Sequence, residues 1–211
     1  MIKRVFPAVK VYPITDVRLT GLSQAEQVTR LIQGGATLIQ LREKNLSPRE
    51  FFHQAQAALE VARAHHVRII INDRVDIALA LHADGVHLGQ HDLPPHAARE
   101  ILGDEALIGF STHNPAQALS ASALPIDYLA IGPVFPTSSK IKPNPVVGLA
   151  GVREVWKAVG PLPLVAIGGI TAQNIESVLQ EGANCVAVIS AVLADPINIA
   201  SDTAHLISLA G

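Results

Sequence analysis

The chain has 211 residues, of which 49% are hydrophobic and only 4% aromatic, and its formal charge is −2. This length suits a single α/β domain with a substantial core, and the small net charge argues against a nucleic acid or an anionic membrane as the partner. The single cysteine, Cys185, excludes an intramolecular disulfide and fits a reducing compartment. The basic start of the chain lacks the apolar segment of a signal peptide, and no stretch is long and apolar enough to span a bilayer, so we expect a cytoplasmic protein.

Short apolar runs alternate with helical patterns eight times along the chain, which is typical of parallel βαβ units. In chain order, the predicted strand and helix pairs are Val11–Thr15 with Gln24–Gln33, Leu38–Leu41 with Pro48–His65, Ile69–Ile71 with Val75–Leu81, Gly85–Gly89 with Pro95–Leu102, Leu107–Phe110 with Pro115–Leu124, Tyr128–Ile131 with Leu149–Val159, Leu164–Ile167 with Ala172–Glu181, and Cys185–Ile189 with Ile197–Leu209. Local signals support the first two helices. Gly34 and Gly35 would end the first, and Ser47-Pro48-Arg49-Glu50 predicts a capping box at the start of the second.

Eight βα repeats within one domain's length predict a single-domain (β/α)8 TIM barrel over residues 1–211. The alternative is a doubly wound open sheet, which usually has fewer strands and leaves a polar edge strand. Because none of the eight predicted strands is conspicuously polar, we favour the barrel.

Two aspartates, Asp73 and Asp92, follow the predicted third and fourth strands. The carboxyl ends of neighbouring strands meet at one mouth, and two carboxylates without a nearby thiol suit a hard cation such as Mg²⁺. Each aspartate also has a local use, since Asp73 could cap the next helix and Asp92 could belong to a turn. Spacing alone leaves these alternatives open. A metal pair of His87 and His91 is less favoured, because their relative direction depends on the intervening turn.

The residues that follow the strands are largely cations, hydroxyls, amides and glycines: Gln40, Arg42, Lys44, Asn72, Ser111, Thr137, Ser138, Ser139, Lys140, Gly168, Gly169 and Ser190. Such groups suit phosphate oxygens. Taken singly, Arg42 and Lys44 could be solvated loop charges and the glycine pair a tight turn. Taken together, they predict a polyanion site with a metal. No Ser-His-Asp or Cys-His set can be assembled, so covalent catalysis is not predicted.

Eight motifs, in order, resemble the thiamine-phosphate synthase family over nearly the whole chain: YPITD at 12–16, QLREK at 40–44, INDR at 71–74, ADGVHLGQHD at 83–92, STHN at 111–114, GPVFPTSSK at 132–140, AIGGI at 166–170 and VAVISA at 186–191. The resemblance implies a (β/α)8 barrel and a transferase. Such an enzyme condenses hydroxymethylpyrimidine diphosphate with thiazole phosphate, giving thiamine phosphate and diphosphate with Mg²⁺ as cofactor.

Position by position, the resemblance implies a pyrimidine diphosphate site of Gln40, Leu41, Arg42, Glu43, Lys44, Asn72, Ser111 and Lys140. Of these, the catalytic group would comprise Arg42, Lys44, Ser111 and Lys140. The metal ligands would be Asp73 and Asp92. The thiazole phosphate site would comprise Thr137, Ser138, Ser139, Gly169, Ile189 and Ser190. Ser139 stands where the family usually has threonine, which keeps the hydroxyl and loses a methyl group, so we expect an effect on binding geometry.

The implied chemistry agrees with this set of residues. A carbon–oxygen bond breaks at a benzylic-type carbon, and the thiazole nitrogen attacks with a lone pair, so no general base is needed. The protein would stabilise the departing diphosphate and position both substrates. The proline-rich loop from Gly132 to Gly148 is longer than a βα turn needs, and we expect it to close over the diphosphate with Lys140 as its charge contact.

Two other functions remain open at this point. A related thiazole tautomerase would use a histidine, for which His113 is available, but such relatives tend to lack the metal carboxylates and the diphosphate cations. A non-catalytic sensor of thiazole phosphate or thiamine phosphate is the second alternative, although it gives no reason for a metal site. The synthase, the tautomerase and the sensor would all bind small molecules, and each is compatible with a homo-oligomer.

Overall fold

The computed structural model describes residue 6 and the ranges 8–137 and 144–211. Eight parallel strands form one sheet in the order β1-β8-β7-β6-β5-β4-β3-β2. Their bounds are β1 Val11–Pro13, β2 Leu38–Leu41, β3 Arg68–Asn72, β4 Gly85–Leu88, β5 Leu107–Thr112, β6 Tyr128–Ile131, β7 Leu164–Ile167 and β8 Cys185–Val188. A parallel bridge between Ile14 and Gln40 joins β1 to β2 and closes the sheet. The predicted (β/α)8 barrel is thereby confirmed against the open sheet.

The helices lie between the strands. Their bounds are α1 Val17–Thr20, α2 Gln24–Gln33, α3 Pro48–Ala64, α4 Val75–Ala80, α5 Pro95–Leu102, α6 Pro115–Ala121, α7 Gly148–Val159, α8 Ile175–Gln180, α9 Ser190–Leu193 and α10 Ile199–Ala210. The predicted capping box of Ser47 and Glu50 is present at the start of α3, and Ser23 and Glu26 form a second one at α2. None of the helices in the part of the chain described could cross a membrane.

Alternation along each short strand divides the core into two layers. Ile39 and Leu41 of β2 pack in the layer that joins the sheet to the helices, whereas Leu38 belongs to a smaller cluster inside the barrel. This inner cluster includes Tyr12 of β1 and Tyr128 of β6, both essentially without solvent exposure. The inside of the barrel is therefore filled by side chains.

Several boundaries differ from the predicted ones. The strand predicted at Val11–Thr15 ends at Pro13, and beyond it Ile14 forms an isolated bridge with Gln40. The strand predicted to stop at Phe110 continues through Thr112, which pairs with Ile131. The short helices α1 and α9 were not predicted. Residues 138–143, which hold part of the predicted lid, lie outside the described part of the chain.

Candidate active site

A cleft of about 900 Å³, counting its solvent-open part, lies at the carboxyl-terminal mouth of the barrel. It is lined by residues from all parts of the sheet, among them Gln40, Arg42, Asn72, His87, Ser111, His113, Thr137, Asn144, Gly168, Gly169, Ile189 and Ser190. Catalytic groups in (β/α)8 barrels gather at this end, since the βα loops converge there. Eight of the thirteen predicted site residues that the structure describes line the cleft: Gln40, Arg42, Asn72, Ser111, Thr137, Gly169, Ile189 and Ser190.

Arg42 follows β2 and reaches across to the end of β1. Its Nη1 lies 3.4 Å from Oδ2 of Asp16, and both side chains are largely buried. Asp16 also caps α1, because its Oδ1 accepts a hydrogen bond from the Leu19 backbone N–H at 3.1 Å. The guanidinium is thus held in place by a fixed carboxylate at the wall of the cleft.

Lys44 forms an ion pair with Asp73, which joins the loop after β2 to the end of β3. Glu43, which precedes Lys44, directs its carboxylate at its own loop. It accepts hydrogen bonds from the backbone N–H of Lys44 at 2.7 Å and of Asn45 at 2.6 Å. Glu43 therefore shapes the loop that presents Lys44.

Asp73 has a left-handed backbone with φ of 61°, and the Arg74 N–H donates to the Asn72 carbonyl oxygen at 2.8 Å across it. A non-glycine residue in this region costs about 1–3 kcal/mol and often marks a functional position. The helix that follows is capped at Arg74 without a side-chain bond, so the alternative role of Asp73 as a helix cap is not observed. The turn role of Asp92 is observed, since its Oδ2 accepts from the Gly89 N–H at 2.7 Å.

Burial is the main cause that raises the pKa of Asp73, the hydrogen bond from Lys44 opposes it, and the neighbouring Asp92 carboxylate adds to the increase. Two partly buried carboxylates that repel each other favour a cation between them. Within the described ranges, no group of three or more His, Cys, Asp or Glu could hold a metal alone. The pair fits Mg²⁺, which binds one or two carboxylates and completes its shell with substrate oxygens and water.

Asn72 and Ser111 lie beside these charges on the same wall of the cleft. Asn72 is 7% exposed, and among the described residues its Nδ2 has no hydrogen-bond partner. An unpaired buried amide costs about 1–3 kcal/mol, which a ligand acceptor would recover. Ser111 Oγ lies 2.8 Å from Nε2 of His87. His87 is thus directed into the barrel, and the weaker hypothesis of a metal pair with His91 finds no support in these contacts.

The opposite wall is built from the ends of β7 and β8. Gly168 and Gly169 both have positive φ, and a Cβ at Gly169 would lie 2.6 Å from the Pro136 carbonyl oxygen. Only glycine lets this turn pack so closely against the loop after β6. Asn174 fixes the turn, since its Nδ2 donates to the Gly169 carbonyl oxygen at 3.0 Å. Ile189 and Ser190 continue the same wall.

Some predicted site residues lie elsewhere. The Leu41 side chain is fully buried among the helices and does not line the cleft, and Glu43 is engaged in its own loop. Lys44, Asp73 and Asp92 lie beside the cleft lining instead of within it. Ser138, Ser139 and Lys140 fall outside the described residues, so their predicted roles stay predictions.

Sequence reasoning missed Asp16, whose contact with Arg42 depends on closure of the barrel. It also missed Asn144, and it offered His113 only to a rival function, although both line the cleft. His113 Nδ1 donates to the Gly132 carbonyl oxygen at 2.7 Å. The STHN motif gave a signal for His113, whereas no local pattern marks Asn144.

Comparisons with known proteins agree with this geometry. The profile of the thiamine monophosphate synthase family matches residues 11–192. A thiamine-phosphate synthase from Clostridium novyi is 48% identical over 92% of this chain and 96% of its own length. One from Koribacter versatilis is 49% identical over 82% of this chain and 81% of its own. The solved structure of a thiamine phosphate pyrophosphorylase from Pyrococcus furiosus superposes with a TM-score of 0.88 at 37% identity, covering 98% of both chains.

Proposed function

The chain belongs to the thiamine monophosphate synthase family, and on that premise we propose how its cleft carries out the reaction. The protein is a transferase that makes thiamine phosphate by joining a pyrimidine to a thiazole. The proposal concerns which residues bind each substrate, where Mg²⁺ is held and how the departing diphosphate is stabilised. The relatives are named for the synthase, which favours it over the tautomerase and the sensor.

The pyrimidine diphosphate binds along the wall formed by β2, β3 and β5. Gln40 and Asn72 contact the ligand with their amides, and Ser111 donates from its hydroxyl. Arg42 and Lys44 lie nearest the diphosphate, where their charges favour the oxygen that gains negative charge as the carbon–oxygen bond breaks. The ion pairs with Asp16 and Asp73 support this proposal, because they hold both cations in position before the substrate arrives.

Asp73 and Asp92 are the residues that would hold Mg²⁺ beside the diphosphate. When bound there, the ion neutralises negative charge on the leaving group. The strained turn at Asp73 and the neighbouring Asp92 carboxylate support this role. The Lys44 ammonium, which pairs with Asp73, would then be free to shift toward the diphosphate.

The thiazole phosphate binds at the opposite wall. The backbone N–H groups of the Gly168-Gly169 turn and the Ser190 hydroxyl suit its phosphate, and Ile189 offers an apolar surface for the ring. Thr137 lines the same side, and Ser138 and Ser139 remain predicted contacts. This arrangement would hold the thiazole nitrogen opposite the pyrimidine carbon that it attacks.

No residue has to remove a proton from the nucleophile, because the thiazole nitrogen attacks with a lone pair. The work of the protein is then positioning and charge stabilisation, which agrees with a cleft built from cations, amides and hydroxyls. Water would compete for the pyrimidine cation, and the predicted closure of the loop with Lys140 would exclude it. We also propose that the protein acts in the cytoplasm, in keeping with its single buried cysteine.

The observation that carries the proposal is one cleft lined by the Arg42 guanidinium, the Gly168-Gly169 turn and the Ser190 hydroxyl, with the Lys44–Asp73 ion pair beside it. The test is to incubate the purified chain with both substrates and Mg²⁺ and to measure thiamine phosphate and diphosphate. We expect one diphosphate per thiamine phosphate. Ser111→Ala should lose most of the rate, and Ser122→Ala, at the C-cap of α6, should keep it. No product from the wild-type chain, or diphosphate release without thiamine phosphate, would refute the proposal.

A further inference from the structure

A continuous chain of polar side chains crosses the inside of the barrel and ends at the cleft. Gln40 Nε2 lies 3.0 Å from the Tyr12 hydroxyl, which lies 3.1 Å from the Tyr128 hydroxyl. The Tyr128 hydroxyl lies 2.9 Å from Nδ1 of His87, whose Nε2 lies 2.8 Å from Ser111 Oγ. The four members before Ser111 are at most 8% exposed, and they come from four different strands.

The series of hydrogen bonds from Gln40 to Ser111 has a direction, which is determined by the number of protons that its members can donate. The Gln40 amide donates to Tyr12, and either hydroxyl could donate across the contact between Tyr12 and Tyr128. Only donation from Tyr12 to Tyr128 uses the proton of both hydroxyls within this series. In that arrangement Tyr128 donates to Nδ1 of His87, which then carries no proton. Burial raises the pKa of both phenols, so both keep their protons.

The direction continues through the imidazole ring. Since Nδ1 accepts, the ring proton is on Nε2, which donates to Ser111 Oγ. A serine hydroxyl that accepts this bond keeps its own proton for another acceptor. Ser111 lines the cleft, so that proton is available to a ligand there.

We propose that His87, held by Tyr128, is a positioning residue that makes Ser111 a hydrogen-bond donor toward the bound pyrimidine diphosphate. The inference rests on the proposed place of Ser111 in the pyrimidine diphosphate site. It goes further by giving the serine a defined donor role, set from inside the barrel. No proton is transferred and no covalent bond to the ligand is formed.

Packing alone does not require these polar groups. Phe6 fills the same inner cluster, with its ring centroid 4.5 Å from that of Tyr128 and 6.2 Å from that of Tyr12. An apolar side chain is thus accommodated there, whereas a buried hydroxyl is destabilising unless it is hydrogen-bonded. The hydrogen bonds from Gln40 to Ser111 form an unbroken series that ends at the cleft. This indicates that the interior of the barrel orients Ser111.

Four variants and one control test the proposal in the full chain with both substrates and Mg²⁺. Tyr128→Phe removes the donor to Nδ1 and lets the ring take the other tautomer, in which Nε2 accepts the Ser111 proton. We expect kcat to fall about tenfold, with KM for the pyrimidine diphosphate changing less, because the bond strengthens as charge develops on the leaving group. Thr203→Val is the control, since it removes a buried hydroxyl in α10 that donates to the Ile199 carbonyl oxygen at 2.7 Å. It should leave kcat unchanged.

The remaining variants separate positioning from general loss of structure. His87→Gln can still accept from Tyr128 and donate to Ser111, so it should retain most of the rate, whereas His87→Leu should not. In the Ser111→Ala background, Tyr128→Phe should have no further effect on kcat, because its effect passes through the serine. Independent losses in that double-mutant cycle, or a normal kcat in Tyr128→Phe, would overturn the proposal.

A measurement without substrates keeps this inference separate from the proposed function. Nitrogen-15 spectra of the histidine rings, with His87 identified by its loss in His87→Gln, report which ring nitrogen carries the proton. We expect Nε2 to be protonated in the wild-type chain and the preference to weaken in Tyr128→Phe. A proton on Nδ1 of the wild type would overturn the inference whatever the enzyme makes. A wild-type chain that makes no thiamine phosphate would instead refute the proposed function.

Discussion

The Asp16 carboxylate holds the Arg42 guanidinium at the wall of the cleft, with Oδ2 3.4 Å from Nη1. The same carboxylate caps α1 through its other oxygen. A four-residue helix and a cation that lines the cleft therefore depend on one buried side chain. This contact crosses the seam between β1 and β2, where the sheet is joined by an isolated bridge. Closure of the barrel and placement of the Arg42 guanidinium are thus linked.

The first prediction separates the charge of Asp16 from its capping role. Asp16→Asn keeps an oxygen that can accept from the Leu19 N–H and loses the ion pair with Arg42. We expect kcat/KM for the pyrimidine diphosphate to fall about tenfold, since the guanidinium loses its fixed orientation. Steady-state kinetics at saturating thiazole phosphate measure this.

The matched control for Asp16→Asn is Asp84→Asn. Asp84 lies at the amino-terminal end of the barrel, where its Oδ2 accepts from the Ile69 N–H at 2.8 Å. The Asp84→Asn substitution removes one negative charge far from the cleft and should leave kcat/KM unchanged. Equal losses in the two variants would mean that net charge, and not the pair with Arg42, is responsible.

Most of the fold could be predicted because its signals are local. Each strand is a short buried apolar run, and the helices between them carry the 3.6-residue period and clear caps. Strand ends were less accurate, since Ser111 and Thr112 join β5 only through pairing with β6. The helices α1 and α9 have four residues each, too few for a hydrophobic period to be recognised.

The candidate site was predicted where its residues follow strands directly, as with Arg42, Asn72 and Asp73. Contacts between distant parts of the chain were not predicted. Tyr12 and Tyr128 are 116 positions apart, and only the closed barrel brings their hydroxyls together. The inward direction of His87 likewise follows from its place in β4, although the sequence alone suggested a metal pair as one alternative.

The second prediction concerns Mg²⁺. Asp73→Asn removes one of two neighbouring carboxylates and should raise the Mg²⁺ concentration needed for half-maximal rate, with turnover at fixed Mg²⁺ falling about a hundredfold. The control is Asp76→Asn, an exposed carboxylate that pairs with Arg74 at 2.5 Å and is remote from the cleft lining. Titrating Mg²⁺ against initial rate in both variants measures the difference. An unchanged Mg²⁺ dependence in Asp73→Asn would contradict the metal assignment.

The third prediction concerns stability at the other end of the barrel. Arg99 Nη2 lies 2.6 Å from Asp127 Oδ2, and both side chains are largely buried. The same oxygen accepts from the Ile108 N–H at 2.8 Å, so Asp127→Ala leaves this amide without its acceptor and the Arg99 charge without its carboxylate, although the guanidinium still donates to backbone carbonyl oxygens. Breaking such a pair costs about 3–5 kcal/mol in the free energy of unfolding.

Asp127→Asn, which keeps an acceptor, should cost less. Urea unfolding measures both, and an unaltered midpoint in Asp127→Ala would show that the pair contributes little.

The last prediction tests the close packing of the glycine turn in the thiazole wall. At Gly169, φ is +66°, and an added Cβ would lie 2.6 Å from the Pro136 carbonyl oxygen and 2.7 Å from the Phe135 Cβ. Gly169→Ala must therefore push the turn away from the loop after β6 and disturb the proposed phosphate contacts.

The control is Gly160, which has nearly the same φ, +65°, and nothing within 4 Å of the added Cβ. Gly160→Ala therefore shows the effect of backbone strain without a steric clash. For an L residue, a sparsely populated conformation of this kind costs about 1–3 kcal/mol of stability. We expect Gly160→Ala to lower only the free energy of unfolding, and Gly169→Ala also to raise KM for thiazole phosphate about tenfold or more, with KM for the pyrimidine diphosphate little affected. If Gly169→Ala changed stability alone, as Gly160→Ala should, the turn would not belong to the thiazole phosphate site.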